Sequence, residues 1–180
     1  MIAPAIRAAS EADAAGIAEV YVSTWRSAYP GMLPGHVLVG LSAPRQASYW
    51  RGAIARSDQS VLVAEEDARG IVGFAAAGPA RPIVPRYRGE VFTLYVQEDF
   101  QGRGIGRRLL EGAFAALGSR GLMPAIVWVL AANPARFFYE RLGGQRIAER
   151  QAPLGGAEHW EVAYGWTDCW PVGLGSCSTR

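Results

Sequence analysis

The sequence of this 180-residue chain predicts a mixed α/β domain. Three observations point there. Short β-rich runs alternate with segments of 3.6-residue apolar periodicity, tight-turn residues join the runs near the middle of the chain, and no internal repeat or low-complexity stretch breaks the alternation. The expected order is β-α-α-β-β-β-α-β-α-β-β, which amounts to seven strands and four helices.

Residues 5–9 read as a short strand. Ser10 then has the chemistry of an N-cap, with Asp13 three residues on as its acidic partner and a helix running towards Arg26. Ile17, Val20, Tyr21 and Trp25 fall on one face of that helix. The Pro/Gly-punctuated stretch 29–35 breaks it, and a second helix covers residues 44–55. Residues 60–66 and 71–78 read as a hairpin around Asp67-Ala68-Arg69-Gly70. A loop at 79–88, with three prolines and three arginines, leads to a strand at 90–96. From Gly104 to about Ser119, Ile105, Leu109, Leu110, Ala113, Phe114 and Leu117 form the apolar stripe of a helix. The continuous apolar run 125–130 suits a strand buried on both faces. Asn133 is expected to cap a helix that has Pro134 at its first position and ends at Gly143-Gly144. Two last strands, about 146–152 and 158–166, flank Leu154-Gly155-Gly156. One domain over 1–166 follows, with 167–180 as an irregular tail.

Composition removes several function classes. Half of the residues are hydrophobic and 19% are charged, as in a globular chain rather than a disordered one. A formal charge of +2 argues for neither nucleic acid nor a membrane surface as partner. All eighteen basic residues are arginine, so lysine Schiff bases and P-loop lysines are excluded. His36 and His159 are far apart, and Cys169 and Cys177 both lie in the tail, so no metal-ligand spacing is present. The first residues lack a signal peptide's apolar core and no run approaches a membrane span, so a cytoplasmic location is the expectation.

The chemistry centres on Gln101-Gly102-Arg103-Gly104-Ile105-Gly106, between a strand and a helix. Glycines there allow the backbone to turn its N–H groups towards a ligand, and the helix start adds a partial positive charge. Arg103, Arg107 and Arg108 bring mobile positive charge. A phosphate-bearing ligand is favoured. A dinucleotide fingerprint fails, because Gly106 comes one position early and the next strand ends Val129-Leu130-Ala131-Ala132 without an acidic residue. A Walker loop fails for want of lysine.

The whole segment from Glu90 to Gly144 fits a different pattern. Glu90-Val91-Phe92-Thr93-Leu94-Tyr95-Val96, the glycine loop, and Asn133-Pro134-Ala135-Arg136-Phe137-Phe138-Tyr139-Glu140-Arg141-Leu142-Gly143 closely resemble the GNAT superfamily of N-acetyltransferases. The strong resemblance covers roughly a third of the chain. It implies a central, mixed but mostly antiparallel sheet of about seven strands flanked by about four helices. It also implies acetyl-CoA as cosubstrate, no metal, and an amine-bearing acceptor, either small molecule or peptide.

The resemblance further implies residue roles. Backbone N–H groups of Gln101, Gly102, Arg103, Gly104, Ile105, Gly106 and Arg107 would hold the CoA pyrophosphate. Pantetheine would pair with the strand edge at Leu94, Tyr95 and Val96, and an N–H near Val96 would meet the developing oxyanion. Phe138 falls in the cofactor motif. Tyr139 matches a tyrosine near the CoA sulfur that protonates the leaving thiolate, although packing beside Phe137 and Phe138 explains it too. Asn133 is either a cofactor contact or simply the N-cap. Glu90 is the candidate base for the amine, the other reading being an exposed strand-end carboxylate or a partner for Arg88. Trp25 and Tyr29 fall where the family walls its acceptor pocket, with core packing favoured for Trp25. Arg81, Arg86 and Arg88 offer attraction for an acidic acceptor, or are solvated loop residues.

The leading expectation is direct acetyl transfer to a primary amine in a ternary complex. A CoA-binding sensor or interaction module without catalysis is the alternative, and a nucleotide-dependent enzyme is the third reading. Relatives are often homodimers, and the apolar tail stretch Cys169-Trp170-Pro171-Val172 offers an interface.

Overall fold

The computed structural model describes residues 3–167. The strands are β1 (Ala5–Ala8), β2 (Ser60–Glu66), β3 (Gly70–Pro79), β4 (Gly89–Val96), β5 (Ala125–Leu130), β6 (Gln145–Leu154) and β7 (Ala157–Trp166). The helices are α1 (Ala14–Ala28), α2 (Gly35–Val39), α3 (Ala43–Ala55), α4 (Ile105–Ser119) and α5 (Arg136–Arg141). The strands form one sheet in the order β1-β2-β3-β4-β5-β7-β6. Every neighbouring pair is antiparallel except β4–β5, which is parallel and spanned by the α4 crossover. The expected mixed, mostly antiparallel architecture is therefore present. The short α2, unforeseen because a five-residue helix offers too few turns for periodicity to reveal, brings the helices to five among the described residues.

Ser10 and Asp13 do form the expected start signal: the Asp13 carboxylate accepts the Ser10 N–H at 2.7 Å and its hydroxyl at 2.9 Å. A 3₁₀ turn over Glu11–Asp13 comes first, and α1 follows from Ala14. The same carboxylate also receives both terminal nitrogens of Arg7 at 2.8 Å, which ties β1 to the helix start. Helices α1 and α3 cover one face of the sheet through Ile17, Val20 and Trp50, packed on Val61, Val63 and Phe74. On the opposite face α4 buries all six residues of its stripe. Burial of each large apolar side chain contributes about 1.5–3 kcal/mol, so this amphipathic pattern holds α4 in place against the strands.

Two departures from regularity shape the centre. β4 and β5 pair only from Gly89↔Ala125 to Val91↔Val127, and beyond that point they splay apart. β4 also carries a bulge at Phe92, since Ala77 and Ala76 are paired with Val91 and Thr93. Because side chains alternate along a strand, the extra residue resets the facing of everything before it. Glu90, opposite Gly78, consequently shares the α1 face with Thr93 and Tyr95.

Near the second motif, the N-cap of α5 is Ala135 rather than the expected Asn133, whose Oδ1 instead accepts the Ala135 N–H at 2.8 Å in a turn ahead of the helix. The chain passes first through tight turns, with Arg136 N–H to Asn133 O at 3.1 Å and Phe137 N–H to Pro134 O at 3.1 Å. The regular helix begins only at Arg136, two residues after Pro134. The tail at 168–180, including Cys169, Cys177 and the suggested interface stretch, lies outside the described residues.

Candidate active site

The gap between the splayed strands opens a cavity of about 800 Å³, within the range of sites that enclose small ligands. Its walls are the 91–96 stretch of β4, the 127–130 stretch of β5, the glycine loop, α5 and the turn before it, the end of α1 and two residues from β6 and β7. Each splayed strand keeps its outer partner, β3 for β4 and β7 for β5, so the edges facing each other across the gap are left to accept an added extended chain.

The glycine loop forms one end. Gly102 (φ 72°) and Gly104 (φ 77°) are left-handed, a conformation that costs other residues about 1–2 kcal/mol. Gly104 is the N-cap of α4 and no side chain caps this helix. Among the described residues, no acceptor takes the backbone N–H groups of 102–107; the flanking N–H of Gln101 bonds Glu98 O and that of Arg108 bonds Gly104 O. Six open donors at a helix start form an anion site. The Gln101 side chain braces the loop, donating from Nε2 to Val96 O at 3.0 Å. A Cβ on Gly106 would stand 3.3 Å from the Phe138 ring, so the loop and α5 approach closely there.

The arginines behave differently from one another. Arg107 lines the cavity and bonds Glu111 one turn on at 2.8 Å. Arg103 turns aside, donating to Asp99 O at 2.6 Å and lying over the Phe100 ring. Arg108 points away altogether and donates to Pro4 O at 2.7 Å. The expectation of mobile charge from all three is thus corrected, since backbone carbonyls hold Arg103 and Arg108.

Aromatic hydroxyls line the middle. Trp25 Nε1 donates to the Tyr95 hydroxyl at 3.0 Å, and the Tyr29 and Tyr95 hydroxyls lie 3.1 Å apart. Burial pushes both tyrosines above their usual pKa, Tyr95 strongly so; hydrogen bonds with Tyr95 and Asn133 offset part of the rise at Tyr29. Tyr139 is 6% exposed, between Phe138, Tyr164 and Trp166, and lines the cavity. Burial raises its pKa too, with a smaller contribution from Tyr29. It therefore keeps its proton at neutral pH.

Leu94, Tyr95, Val96, Gln101, Gly102, Gly104, Ile105, Gly106, Arg107, Asn133, Phe138, Tyr139, Trp25 and Tyr29 thus meet around one cavity. A model of the Acetyltransferase (GNAT) family matches residues 17–144. The chain belongs to the GNAT family. This GNAT chain is 33% identical to the uncharacterized N-acetyltransferase YuaI of Bacillus subtilis, over 91% of its own length and 92% of the relative's. It is 32% identical to the L-methionine sulfoximine/L-methionine sulfone acetyltransferase of Pseudomonas paraeruginosa, over 63% and 64% of the two chains. Its fold matches the crystal structure of the PaiA N-acetyltransferase from Thermoplasma acidophilum in complex with coenzyme A, with a TM-score of 0.70, 18% identity, and coverage of 92% and 100%.

Two of the expected site residues, Arg103 and Glu90, do not line the GNAT cavity. Glu90 is fully buried, not the exposed strand-end carboxylate of the alternative reading. Its Oε1 receives the Arg81 guanidinium, including a short contact from a terminal nitrogen, and its Oε2 receives the Arg81 backbone N–H and Nε, each at 3.2 Å. The partner is Arg81 rather than Arg88, whose Nε donates instead to Met123 O at 2.6 Å.

Sequence reasoning missed Thr24, Trp128, Arg141, Leu154 and Glu161, all of which line the cavity. Thr24 Oγ1 is buried with no hydrogen-bond partner among the described residues. Glu161 is the one carboxylate among the lining residues, on β7 opposite Leu130 of β5. Its only signal in the sequence was a charge inside a strand otherwise rich in aromatic and apolar residues.

Proposed function

We propose that this chain transfers an acetyl group from acetyl-CoA to a primary amine by direct attack within a ternary complex. The observation that carries the reading is the joining of the open N–H groups at 102–107 to the splayed β4–β5 gap in one cavity. One end suits a pyrophosphate and the gap suits an extended amide-bearing arm, which is the chemistry of CoA. Acetyl-CoA would supply the activated acetyl thioester.

The chain's own groups supply the rest. N–H groups of 102–107 hold the phosphates, while Arg107 and Arg141 at the cavity wall add charge. Leu94, Tyr95 and Val96 flank the pantetheine arm, and Phe138 closes it from α5. An N–H near Val96 stabilises charge on the acyl oxygen, an effect of about 3 kcal/mol for a single donor. Tyr139, buried and protonated, carries the proton for a departing thiolate. Trp25 and Tyr29 wall the acceptor end, and Asn133 holds the entry to α5 while touching Tyr29.

The amine arrives as an ammonium ion and loses a proton before it attacks. Glu90, with both oxygens engaged by Arg81, is positioned to brace the bulged start of β4; the proton leaves through water in the open cavity. The catalytic unit is residues 1–166 as a single domain. Among the described residues, no helix is long and apolar enough to cross a membrane.

Thiol release from acetyl-CoA in the presence of primary amines tests the reading, with L-methionine sulfone included because a relative is named for it. Amine-dependent thiol release with an N-acetylated product is expected. Tight CoA binding without turnover would favour the sensor reading instead.

A further inference from the structure

Two carboxylates lie on the acceptor face of the sheet, and they differ in what remains free. Glu90 has both oxygens occupied and lies outside the cavity wall. Glu161 lines the cavity and meets its partner Arg150 through Oε2 alone, at 2.8 Å from Nε and 2.7 Å from a terminal nitrogen. Among the described residues Oε1 has no hydrogen-bond partner, nor is it sealed away from solvent. The pair is about one-fifth exposed on each side, so the carboxylate is held in place and still open. Arg150 also lies 4.2 Å over the Trp128 ring, which fixes the guanidinium and through it the direction of Glu161.

Apart from Arg150 and the nearby Arg81, the wall around Glu161 is mainly aromatic and aliphatic. Tyr29, Trp128, Leu130 and Leu154 line the cavity with Glu161, and the pairing of Leu130 with Glu161 sets both on the α1 face of the sheet. Arg150 pairs with Oε2 and the Arg81 guanidinium lies near enough to feel the same charge, so what the carboxylate offers a ligand is its open Oε1, an acceptor suited to a compact charged donor whose remaining surface is apolar.

Resting on the acetyl-transfer reading, we infer that Glu161 is the residue that recognises the acceptor, its Oε1 accepting hydrogen bonds from a primary ammonium carried on an apolar stem. Arg150 acts through Glu161, as a positioning residue. The charged part of acceptor recognition thereby lies on β7, rather than in the 25–29 and 79–88 segments expected from the sequence.

The test uses acetyl-CoA with primary amines of increasing apolar stem, from ethylamine to phenethylamine, on the full chain. For wild-type protein, kcat/KM should rise with the stem. Glu161→Gln should raise the KM for phenethylamine by about tenfold or more, the typical weight of a charge-assisted hydrogen bond, and leave the KM for acetyl-CoA within twofold. Arg150→Gln breaks the same ion pair but keeps the carboxylate, so its amine KM should change several-fold less. Equal effects from the two substitutions, each with a lower melting temperature, would mean a purely structural pair and overturn the inference. An unchanged amine KM in Glu161→Gln with wild-type turnover would also overturn it, leaving acetyl transfer intact. No amine-dependent thiol release from wild-type protein would remove both readings together.

Discussion

The two ends of the cavity are built by different means. The cofactor end is backbone: six consecutive N–H groups, two left-handed glycines and a helix start, all within 102–107. The other end, proposed for the acceptor, is side chain: Trp25 and Tyr29 from α1 and its end, Trp128 from β5, Leu154 from β6 and Glu161 from β7. A backbone cradle depends on a few adjacent residues and tolerates little change. A side-chain wall collected from distant elements is open to substitution one position at a time. One scaffold can thereby keep its cofactor while its acceptor changes.

Breaking the chemistry between the two ends should give the largest effect. Tyr139→Phe removes the proposed proton donor and keeps the ring packing, so kcat should fall about 100-fold, the lower range for a general acid, with the KM for acetyl-CoA little changed. Rapid-quench or steady-state thiol release measures it, and an unaltered kcat would reduce Tyr139 to a packing residue. Next in size is the cradle itself. Gly104→Val forces a β-branched residue into a left-handed position (φ 77°), and about 1–2 kcal/mol of strain should weaken CoA binding roughly tenfold by calorimetry. Binding at wild-type strength would mean that the N–H groups of this loop are not the anchor.

Glu90→Gln sharpens the contrast between the two carboxylates. With its acceptor neutralised, the half-exposed Arg81 loses its ion pair but can still reach water. A loss of about 1–3 kcal/mol in stability is expected in chemical denaturation, with a smaller effect on kcat and no shift in the pH–rate profile. A lost acidic limb, rescued at higher pH, would instead restore Glu90 as the base. The smallest expected effect is on the alkaline side. Burial raises the pKa of Tyr139 above the ordinary tyrosine value, so its proton stays on through the range where a free tyrosine begins to ionise. The wild-type kcat should show no tyrosine ionisation below about pH 10; a decline centred nearer 9 that disappears in Tyr139→Phe would contradict the buried environment.

The division between the ends also governs what the sequence made legible. The α4 stripe was readable because all six of its apolar residues answer to one local period, and the cradle was readable because its glycines are neighbours. The facing of Glu90 was not: it depends on a bulge visible only once β4 is set against β3. Arg108 looked free in sequence, yet its acceptor is a carbonyl 104 positions away. Glu161 escaped for the same reason, since its place in the cavity follows from pairing with Leu130 across the sheet. Local chemistry reads directly from residue order, whereas chemistry assembled across strands needs the register.

The most direct test of the central claim is an amide ¹⁵N–¹H titration of the protein with CoA. Shifts should concentrate at the N–H groups of 102–107 and along 92–96 of β4, with β1 and β2 nearly silent. Shifts scattered over the surface, or absent from 102–107, would contradict it.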